Sequence, residues 1–414
     1  MAQTTEQFHQ ALDLLQENTA PLWPDFTPAR TPFLAFDGQD SWLFHADPPS
    51  PDGWQRQAGH WSFAGRHPQL RANTAVLLGD LLPAATILLS ELPGQLTSRQ
   101  LAAFAVHEAF HVYQGQHPSP AWNADELSAL TYPFGDEQVL VSRAMETRAL
   151  HRALHAEGDG QDLVAVALGW RRQHFALLSE AHQAYERALE RVEGLAHHVE
   201  LRFLDELPVL EQPDVPAEQI RRRTYTVGAA YAALLDRTTL DWPAAVQGSG
   251  VPLDVLLASV VVPSEETTTV PEGIQRWAHE EAQGVQRRQE EALAAFDARP
   301  AGRLTLTVSD GGEPLWPRGF DPLNLQMMAD GSLLHARFLQ FGNRTVRGEV
   351  LGSICRTWGA GPHPFASGFR AIELVEVDWT ERNAGLEVSG VGVSVQSSIG
   401  RLLGATGSWR WETA

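Results

Sequence analysis

The spacing of apolar residues changes twice along this chain of 414 residues, and that change constrains the fold more than any other feature. Between Ser98 and about Arg237, apolar residues recur at intervals of three and four, which is typical of helices with one buried face. The pattern predicts helices at 99–116, 138–156, 162–205 with room for a break near Gly169, 220–237, 252–261 and 272–297. A helical layer therefore occupies the middle of the chain.

Strand-like segments flank this helical region on both sides. The first hundred residues are rich in Pro, Gly and Trp, and they contain strand-like runs at Thr31–Phe36, Asn73–Leu78 and Ala85–Leu89. After Pro300, apolar and polar residues alternate from Leu304 to Val308, and turn-forming residues separate short runs beyond. The sequence thus predicts an α+β fold. Residues 1–300 form one domain, mixed strands and loops over 1–97 and mainly helices over 98–300, and residues 301–414 form a β-rich C-terminal domain.

Charge and cysteine content exclude several classes of protein. The formal net charge is −20, from 51 acidic and 31 basic residues, which argues against a nucleic-acid partner. Cys355 is the single cysteine, so an intrachain disulfide and a cysteine-rich zinc cluster are both excluded. Met1–Asn18 lacks the basic and apolar regions of a signal peptide, and no apolar stretch reaches the roughly 18 residues of a membrane span. We therefore expect a cytoplasmic protein outside the membrane; the sequence does not indicate an oligomeric state.

The segment His107-Glu108-Ala109-Phe110-His111 carries the strongest chemical signal. Residues four apart lie one above the other on a helix, so both imidazoles project toward a common point, and their nitrogens can bind one zinc ion at about 2.0–2.1 Å. Glu108 lies beside that axis, where its carboxylate can take a proton from water instead of binding the metal. The motif predicts a zinc site with Glu108 as general base.

The surroundings of the motif favour a buried site. Ser98 is available as the N-cap of the helix, and Leu101, Phe104 and Phe110 make the side that bears the histidines largely apolar. Two histidines that face a buried layer need polar partners, and a metal ion supplies one.

A catalytic zinc needs a third protein ligand, and two glutamates are candidates for it. Glu146 shares its helix face with Val139, Ala149 and Ala153, and Glu193 shares its face with Leu189 and Ala196. A carboxylate in apolar company is paired, protonated or bound to a metal. The alternative for each is a buried salt bridge, with Arg143, Arg148, Arg222 or Arg223 as the partner.

With these segments the sequence resembles the gluzincin branch of the zincin metallopeptidases. The resemblance rests on the strand Ala85–Ser90, the helix through Gln114 and the segment Glu193-Gly194-Leu195-Ala196. It implies a zincin-like domain over 1–300, Glu193 as the favoured third ligand with Glu146 as the alternative, and an extended peptide that adds to the edge of the Ala85–Leu89 strand.

The helix from Tyr225 to Asp236 is similar to a Tyr-x-x-Gly helix of uncharacterised bacterial proteins with gluzincin-like features. In gluzincins a Tyr or His often stabilises the oxyanion, so the resemblance implies this role for Tyr225, with Tyr231 as the second choice. The resulting expectation is a zinc metallopeptidase that hydrolyses peptides or proteins. The alternative is a catalytically silent zincin-like zinc protein that binds peptides or a protein partner.

Overall fold

The computed structural model describes residues 4–413 except 58, 93, 95, 159, 266–267, 300–301, 322–323, 329, 361–366, 383–384 and 406–407. The described residues form a mixed fold of ten α-helices and three β-sheets, and the C-terminal region is rich in β-structure. The chain divides into two compact units, one of residues 1–125 and 136–279 and the other of residues 126–135 and 280–414. The sequence placed the division at residue 300.

The helices are α1 (Thr5–Glu17), α2 (Ser98–Gln116), α3 (Glu137–Leu154), α4 (Gln161–Ala176), α5 (Glu180–Leu189), α6 (Leu195–Leu204), α7 (Ile220–Leu235), α8 (Trp242–Ser249), α9 (Leu253–Ala258) and α10 (Glu272–Asp297). A π-helical turn at Glu190–Gly194 joins α5 to α6 without a break. No helix within the described ranges has the length and apolar character needed to cross a membrane.

The first unit contains a six-stranded sheet. Its strands are β1 (Phe33–Phe36), β2 (Asp40–Phe44), β3 (Trp54–Gln57), β4 (His60–Ala64), β5 (Thr74–Leu78) and β6 (Leu82–Leu88), in the order β3-β4-β2-β1-β6-β5. β1 and β6 are parallel and the other pairs are antiparallel. The sequence suggested a free edge for the Ala85–Leu89 strand. This expectation is wrong, because β1 and β5 pair with the two sides of β6.

One apolar core joins this sheet to the helices of the first unit. Phe33 and Ile87 from the sheet, Phe8 from α1, and Val106 and Phe110 from α2 are all fully buried in it. Burying one such side chain stabilises the fold by about 1.5–3 kcal/mol. Because the core holds both α1 and the sheet against α2, the face of α2 that carries the histidines has a fixed position.

The second unit contains two sheets. Their strands are β7 (Leu304–Val308), β8 (Trp316–Phe320), β9 (Leu325–Met327), β10 (Leu333–His335), β11 (Phe338–Gly342), β12 (Val346–Leu351), β13 (Cys355–Gly359), β14 (Phe369–Leu374), β15 (Val377–Arg382), β16 (Gly385–Gly390), β17 (Val393–Ser397), β18 (Arg401–Ala405) and β19 (Ser408–Thr413). The sheet orders are β18-β19-β7-β14-β13-β10-β9 and β15-β16-β17-β12-β11-β8. A separate apolar core that includes Leu306, Phe341 and Trp411 lies in this unit.

Several predicted elements are confirmed, with shifted ends. The helices predicted at 99–116, 138–156, 220–237 and 272–297 correspond to α2, α3, α7 and α10. The segment predicted as 162–205 is interrupted at 177–179 instead of near Gly169. The N-cap of α2 is Thr97 and not Ser98, because the Thr97 hydroxyl accepts from the backbone of Gln100, whose side chain caps Thr97 in return.

Candidate metal centre

The two histidines of α2 point their Nε2 atoms at each other. His107 and His111 lie four residues apart on α2, and their Nε2 atoms are 3.2 Å apart. Both residues are largely buried: the side chains of His107 and His111 are 9% and 16% exposed. The four-residue spacing therefore brings the two Nε2 atoms close enough to bind one metal ion.

Hydrogen bonds at the opposite side of each ring fix its protonation. The Nδ1 atom of His107 lies 3.2 Å from a carboxylate oxygen of Glu200, and that of His111 lies 2.8 Å from the amide oxygen of Gln114. The Gln114 amide is oriented in turn because its NH₂ group donates to the carbonyl of Val192 at 3.0 Å. Both acceptors require a proton on Nδ1, so each neutral ring presents its Nε2 lone pair to the other.

A carboxylate completes this group of ligand atoms. The Oε2 atom of Glu193 is 3.3 Å from Nε2 of His111 and 3.8 Å from Nε2 of His107. A tetrahedral zinc with bonds of about 2.0–2.1 Å separates its ligand atoms by about 3.3–3.4 Å. Two nitrogen lone pairs and one carboxylate oxygen at these separations repel one another unless a cation lies between them. The donor set and its spacing thus fit zinc.

The electrostatics of the site also favour a positive charge. Burial would lower the pKa of His107, but its contacts with Glu193 and Glu200 outweigh burial and raise the pKa to about 10. Burial would likewise raise the pKa of Glu200, yet its bonds to His107 and His197 lower it to about 2. Glu193 and Glu200 therefore stabilise a positive charge at His107. In the absence of a metal ion, a proton on the imidazole supplies that charge.

Glu108 is buried beside this group, and one oxygen of its carboxylate has no hydrogen bond to any described residue. That oxygen is Oε2, and Glu108 is only 5% exposed. Burial raises the pKa of Glu108, while the charges of His107 and His111 act in the opposite direction. Buried carboxylate oxygens without a partner are rare, and a catalytic role is one of the usual reasons for them.

Helix α7 contributes the other wall of the site. The ring of Tyr225 stacks on His107, and its hydroxyl lies near enough to Glu193 to help lower the pKa of that carboxylate. Burial and the charge of Glu193 raise the pKa of Tyr225, so its hydroxyl keeps its proton. One turn earlier, the guanidinium of Arg221 donates to Oε1 of Glu193 at 2.6 Å.

A close backbone contact sets the position of Glu193. Glu193 lies in the π-helical turn, whose last residue, Gly194, crosses Gly228 of α7 so closely that a Cβ at Gly194 would lie 2.7 Å from the Gly228 Cα. A π-helical turn widens the helix by one residue and is often found at functional sites. The turn and α7 therefore hold Glu193 and Tyr225 in one packed assembly.

Glu146, the alternative third ligand, lies elsewhere. It is fully buried, and its carboxylate accepts hydrogen bonds from Arg171 at 3.2 Å, Arg223 at 2.9 Å and Tyr231 at 2.8 Å. Burial opposes its charge, but Arg171 and Arg223 outweigh burial and lower the pKa of Glu146. Glu146, which lies on an apolar helix face, is thus paired in a buried ionic network, and Tyr231 belongs to that network.

Of the residues singled out from the sequence, the structure brings together His107, Glu108, His111, Glu193 and Tyr225, whereas Glu146 and Tyr231 lie in the buried ionic network. Sequence reasoning missed three residues that hold the site, namely Gln114, Glu200 and Arg221. Helical spacing offers a signal for two of them, because Gln114 follows His111 by three residues and Arg221 precedes Tyr225 by four.

A second group of potential ligand atoms comprises His107, His197 and Glu200. It shares His107 with the first group, and Glu200 lies between the two rings, 3.2 Å from His107 and 2.9 Å from His197. This arrangement is that of a carboxylate that orients a histidine from behind.

Comparisons with protein-family models, with curated proteins and with solved structures each found no match for this chain. The function of this protein is therefore inferred from the geometry of the site.

Proposed function

We propose that this protein is a zinc-dependent hydrolase of the metallopeptidase class with a gluzincin-like site. His107, His111 and Glu193 hold the zinc ion, and Glu108 is the general base. The observation that carries the proposal is the convergence of two Nε2 atoms and one carboxylate oxygen next to Glu108, whose buried Oε2 atom has no hydrogen bond to any described residue. We also propose that α2 and the six-stranded sheet form a zincin-like arrangement.

The chemistry that zinc supplies when bound is that of a Lewis acid, which acidifies water and polarises a carbonyl group. Glu108 accepts the proton of the attacking water and passes it to the leaving amine. The hydroxyl of Tyr225 donates a hydrogen bond to the carbonyl oxygen as negative charge develops there. Glu200 and Gln114 keep the two imidazoles in the tautomer that directs Nε2 at the ion.

The open edge of the first sheet supports a peptide as the substrate. Helix α2 packs against β5 and β6, and the outer side of β5 has no strand partner among the described residues. An extended peptide can add to such an edge through main-chain hydrogen bonds, which are independent of the side chains of the peptide. We place the substrate on β5 and not on β6, since both sides of β6 are occupied.

The silent alternative explains Glu108 less well. A buried carboxylate oxygen without a hydrogen bond costs about 1–3 kcal/mol. A zinc site that served structure or peptide binding alone would require the three ligands but would gain nothing from this cost. The state of Glu108 therefore favours catalysis over a purely structural or binding role.

Metal analysis together with digestion of a peptide library tests the proposal. We expect about one zinc per chain in the wild type, and the same zinc content in Glu108→Gln, whose carboxamide leaves the three ligands untouched. Cleavage should fall by about 10²–10⁴-fold in this variant, because the proton acceptor is lost. Glu137→Gln is a matched control, since Glu137 lies on the surface and pairs with His279.

Two results would overturn the proposal. One is a wild-type protein that binds no zinc after purification with zinc present. The other is peptide hydrolysis at the wild-type rate in Glu108→Gln. Zinc binding by the wild type without any cleavage would instead support the silent zinc protein.

A further inference from the structure

The two oxygens of Glu193 face different partners. Oε2 points toward His107 and His111, whereas Oε1 accepts a hydrogen bond from the guanidinium of Arg221 at 2.6 Å. This distance is short, as expected when a charged donor meets a charged acceptor. One oxygen of Glu193 therefore faces the candidate metal position, and the other binds Arg221 on α7.

Arg221 is itself held in place on this side of the site. Its guanidinium lies over the ring of Tyr225, 5.8 Å from the ring centroid, and Tyr225 in turn stacks on His107. The first contact comes from helical spacing, because Arg221 and Tyr225 lie one turn apart on α7, and the second joins α7 to α2. Arg221 remains 37% exposed while Glu193 is 9% exposed, so the ion pair lies at the boundary between the site and solvent.

The number of oxygens that a carboxylate gives to a metal determines how many positions stay open. A carboxylate with both oxygens free can bind a metal ion through both, and it then takes two coordination positions. A catalytic zinc needs one position for water or substrate beside its three protein ligands. A cation that binds one oxygen of the ligand prevents this second contact.

We propose that Arg221 is a positioning residue that restricts Glu193 to a single ligand oxygen and so keeps a coordination position open. The inference rests on the proposed function, because it presupposes a metal ion held by Glu193. It adds to that function a residue that touches neither the metal nor the substrate. Arg221 acts only through Glu193.

Three variants of α7 test this role. Arg221→Met removes the cation but keeps a side chain of similar length. Arg221→Lys keeps a charge that can donate one hydrogen bond to Glu193, so it should restore part of the effect. Arg222→Met is the matched control, because Arg222 is the next residue along, is exposed, and pairs with Glu211 at the surface.

The readouts are the absorption spectrum of the cobalt-substituted protein, the zinc affinity measured by chelator competition, and the urea midpoint. In Arg221→Met we expect zinc affinity to fall by about 10–100-fold, as is typical when a group that orients a ligand is lost. We also expect weaker visible absorption from cobalt, because a second Glu193 oxygen raises its coordination number. The urea midpoint should change little, since Arg221 reaches solvent and ion pairs with a solvent-exposed partner contribute little to stability.

The outcomes separate the two proposals. A cobalt spectrum and a zinc affinity in Arg221→Met that match those of Arg222→Met overturn the role of Arg221 and leave the metal site standing. A lower urea midpoint with an unchanged spectrum assigns Arg221 to the fold alone and overturns the inference as well. A wild-type protein that binds neither cobalt nor zinc overturns the proposed function itself.

Discussion

The ring of Tyr225 lies nearly parallel to the imidazole of His107, with 5.8 Å between the ring centroids and 10° between the ring planes. The Tyr225 hydroxyl also lies near Glu193 and helps to lower the pKa of that carboxylate. One side chain therefore acts on two of the three candidate ligands. The sequence suggested Tyr225 only as a donor to the oxyanion, and the structure adds an electrostatic effect of its hydroxyl on the candidate ligand Glu193.

Tyr225→Phe keeps the stacked ring and removes only the hydroxyl, so kcat and zinc affinity report separately on its effect at the oxyanion and its effect on Glu193. We expect kcat to fall by about 10²–10³-fold, the usual effect of losing one donor to an oxyanion. Zinc affinity should change less than about tenfold, since Arg221 still holds Glu193. Steady-state kinetics at saturating zinc and chelator competition measure the two quantities.

Tyr231→Phe is the control on the same helix. Its hydroxyl donates to Glu146, so we expect wild-type kcat and a loss of stability of about 1.5–3 kcal/mol, the usual contribution of a hydrogen bond to a charged group. If Tyr225→Phe lowers zinc affinity but leaves kcat at saturating zinc unchanged, Tyr225 only orients Glu193 and has no part in hydrolysis.

Paired Glu→Gln variants decide which glutamate is the third ligand. Glu193→Gln should lose most of its bound zinc, because an amide oxygen is a weaker ligand than a carboxylate. Glu146→Gln should keep its zinc but lower the unfolding free energy by about 3–5 kcal/mol, since Arg171 and Arg223 lose a buried counter-charge. Zinc content and urea denaturation of both variants are the measurements. Zinc loss in Glu146→Gln without unfolding would reverse the assignment.

The part of the site that could be predicted is the part encoded in helical spacing. His107 and His111 lie four apart on the continuous helix α2, so the convergence of the two rings follows from helical geometry. The pairing of Tyr225 with the site was implied by resemblance, and the structure places Tyr225 on His107.

The remainder depends on contacts between residues far apart in the chain. Glu146 and Glu193 both lie on apolar helix faces, and only the packing of Arg171 and Arg223 around Glu146 distinguishes them. The periodicity of 162–205 gave no sign of the π-helical turn, because one extra residue in a helix hardly disturbs an apolar stripe. Segment 126–135 belongs to the second unit, a long-range contact that no local pattern encodes.

The crossing of Gly194 and Gly228 predicts a sensitive position outside the chemistry. A Cβ at Gly228 would lie 2.6 Å from the carbonyl oxygen of Glu190 and 2.9 Å from the Cα of Gly194. Gly228→Ala should therefore push the π-helical turn away from α7, at a cost of about 1–3 kcal/mol in unfolding free energy. Zinc affinity should fall too, since Glu193 lies on the displaced turn. Urea denaturation and chelator competition test both effects.

Gly115→Ala provides the control, because Gly115 is also helical and a Cβ there meets no described atom within 4 Å. We expect this variant to be as stable as the wild type or more stable by about 0.5–1 kcal/mol. Equal stability and zinc affinity in Gly228→Ala and in Gly115→Ala would mean that the turn can move away from α7 without disturbing the site.

The second unit should lose stability on mild acidification through His335. This residue is 1% exposed, its Nε2 lies 3.0 Å from the Thr357 hydroxyl, and burial lowers its pKa to about 3. In the unfolded chain a histidine titrates near pH 6.5, so between about pH 6.5 and 3 the unfolded state binds the extra proton. Stability conferred by neutral His335 is therefore complete above pH 6.5 and decreases as the pH falls.

The slope of this loss is about 1.4 kcal/mol per pH unit for one proton. Hydrogen exchange of the β10 and β13 amides between pH 6.5 and 4.5 measures this loss of stability. In this pH range most carboxylates stay ionised, so they contribute little to the slope. The variant His335→Gln keeps a polar contact for Thr357 but cannot titrate, so its strands should show almost no slope. Of the two histidines in this unit, the other, His363, lies outside the described residues. A slope that persists in His335→Gln would show that His335 does not govern the acid response, because the only titrating group changed is its imidazole.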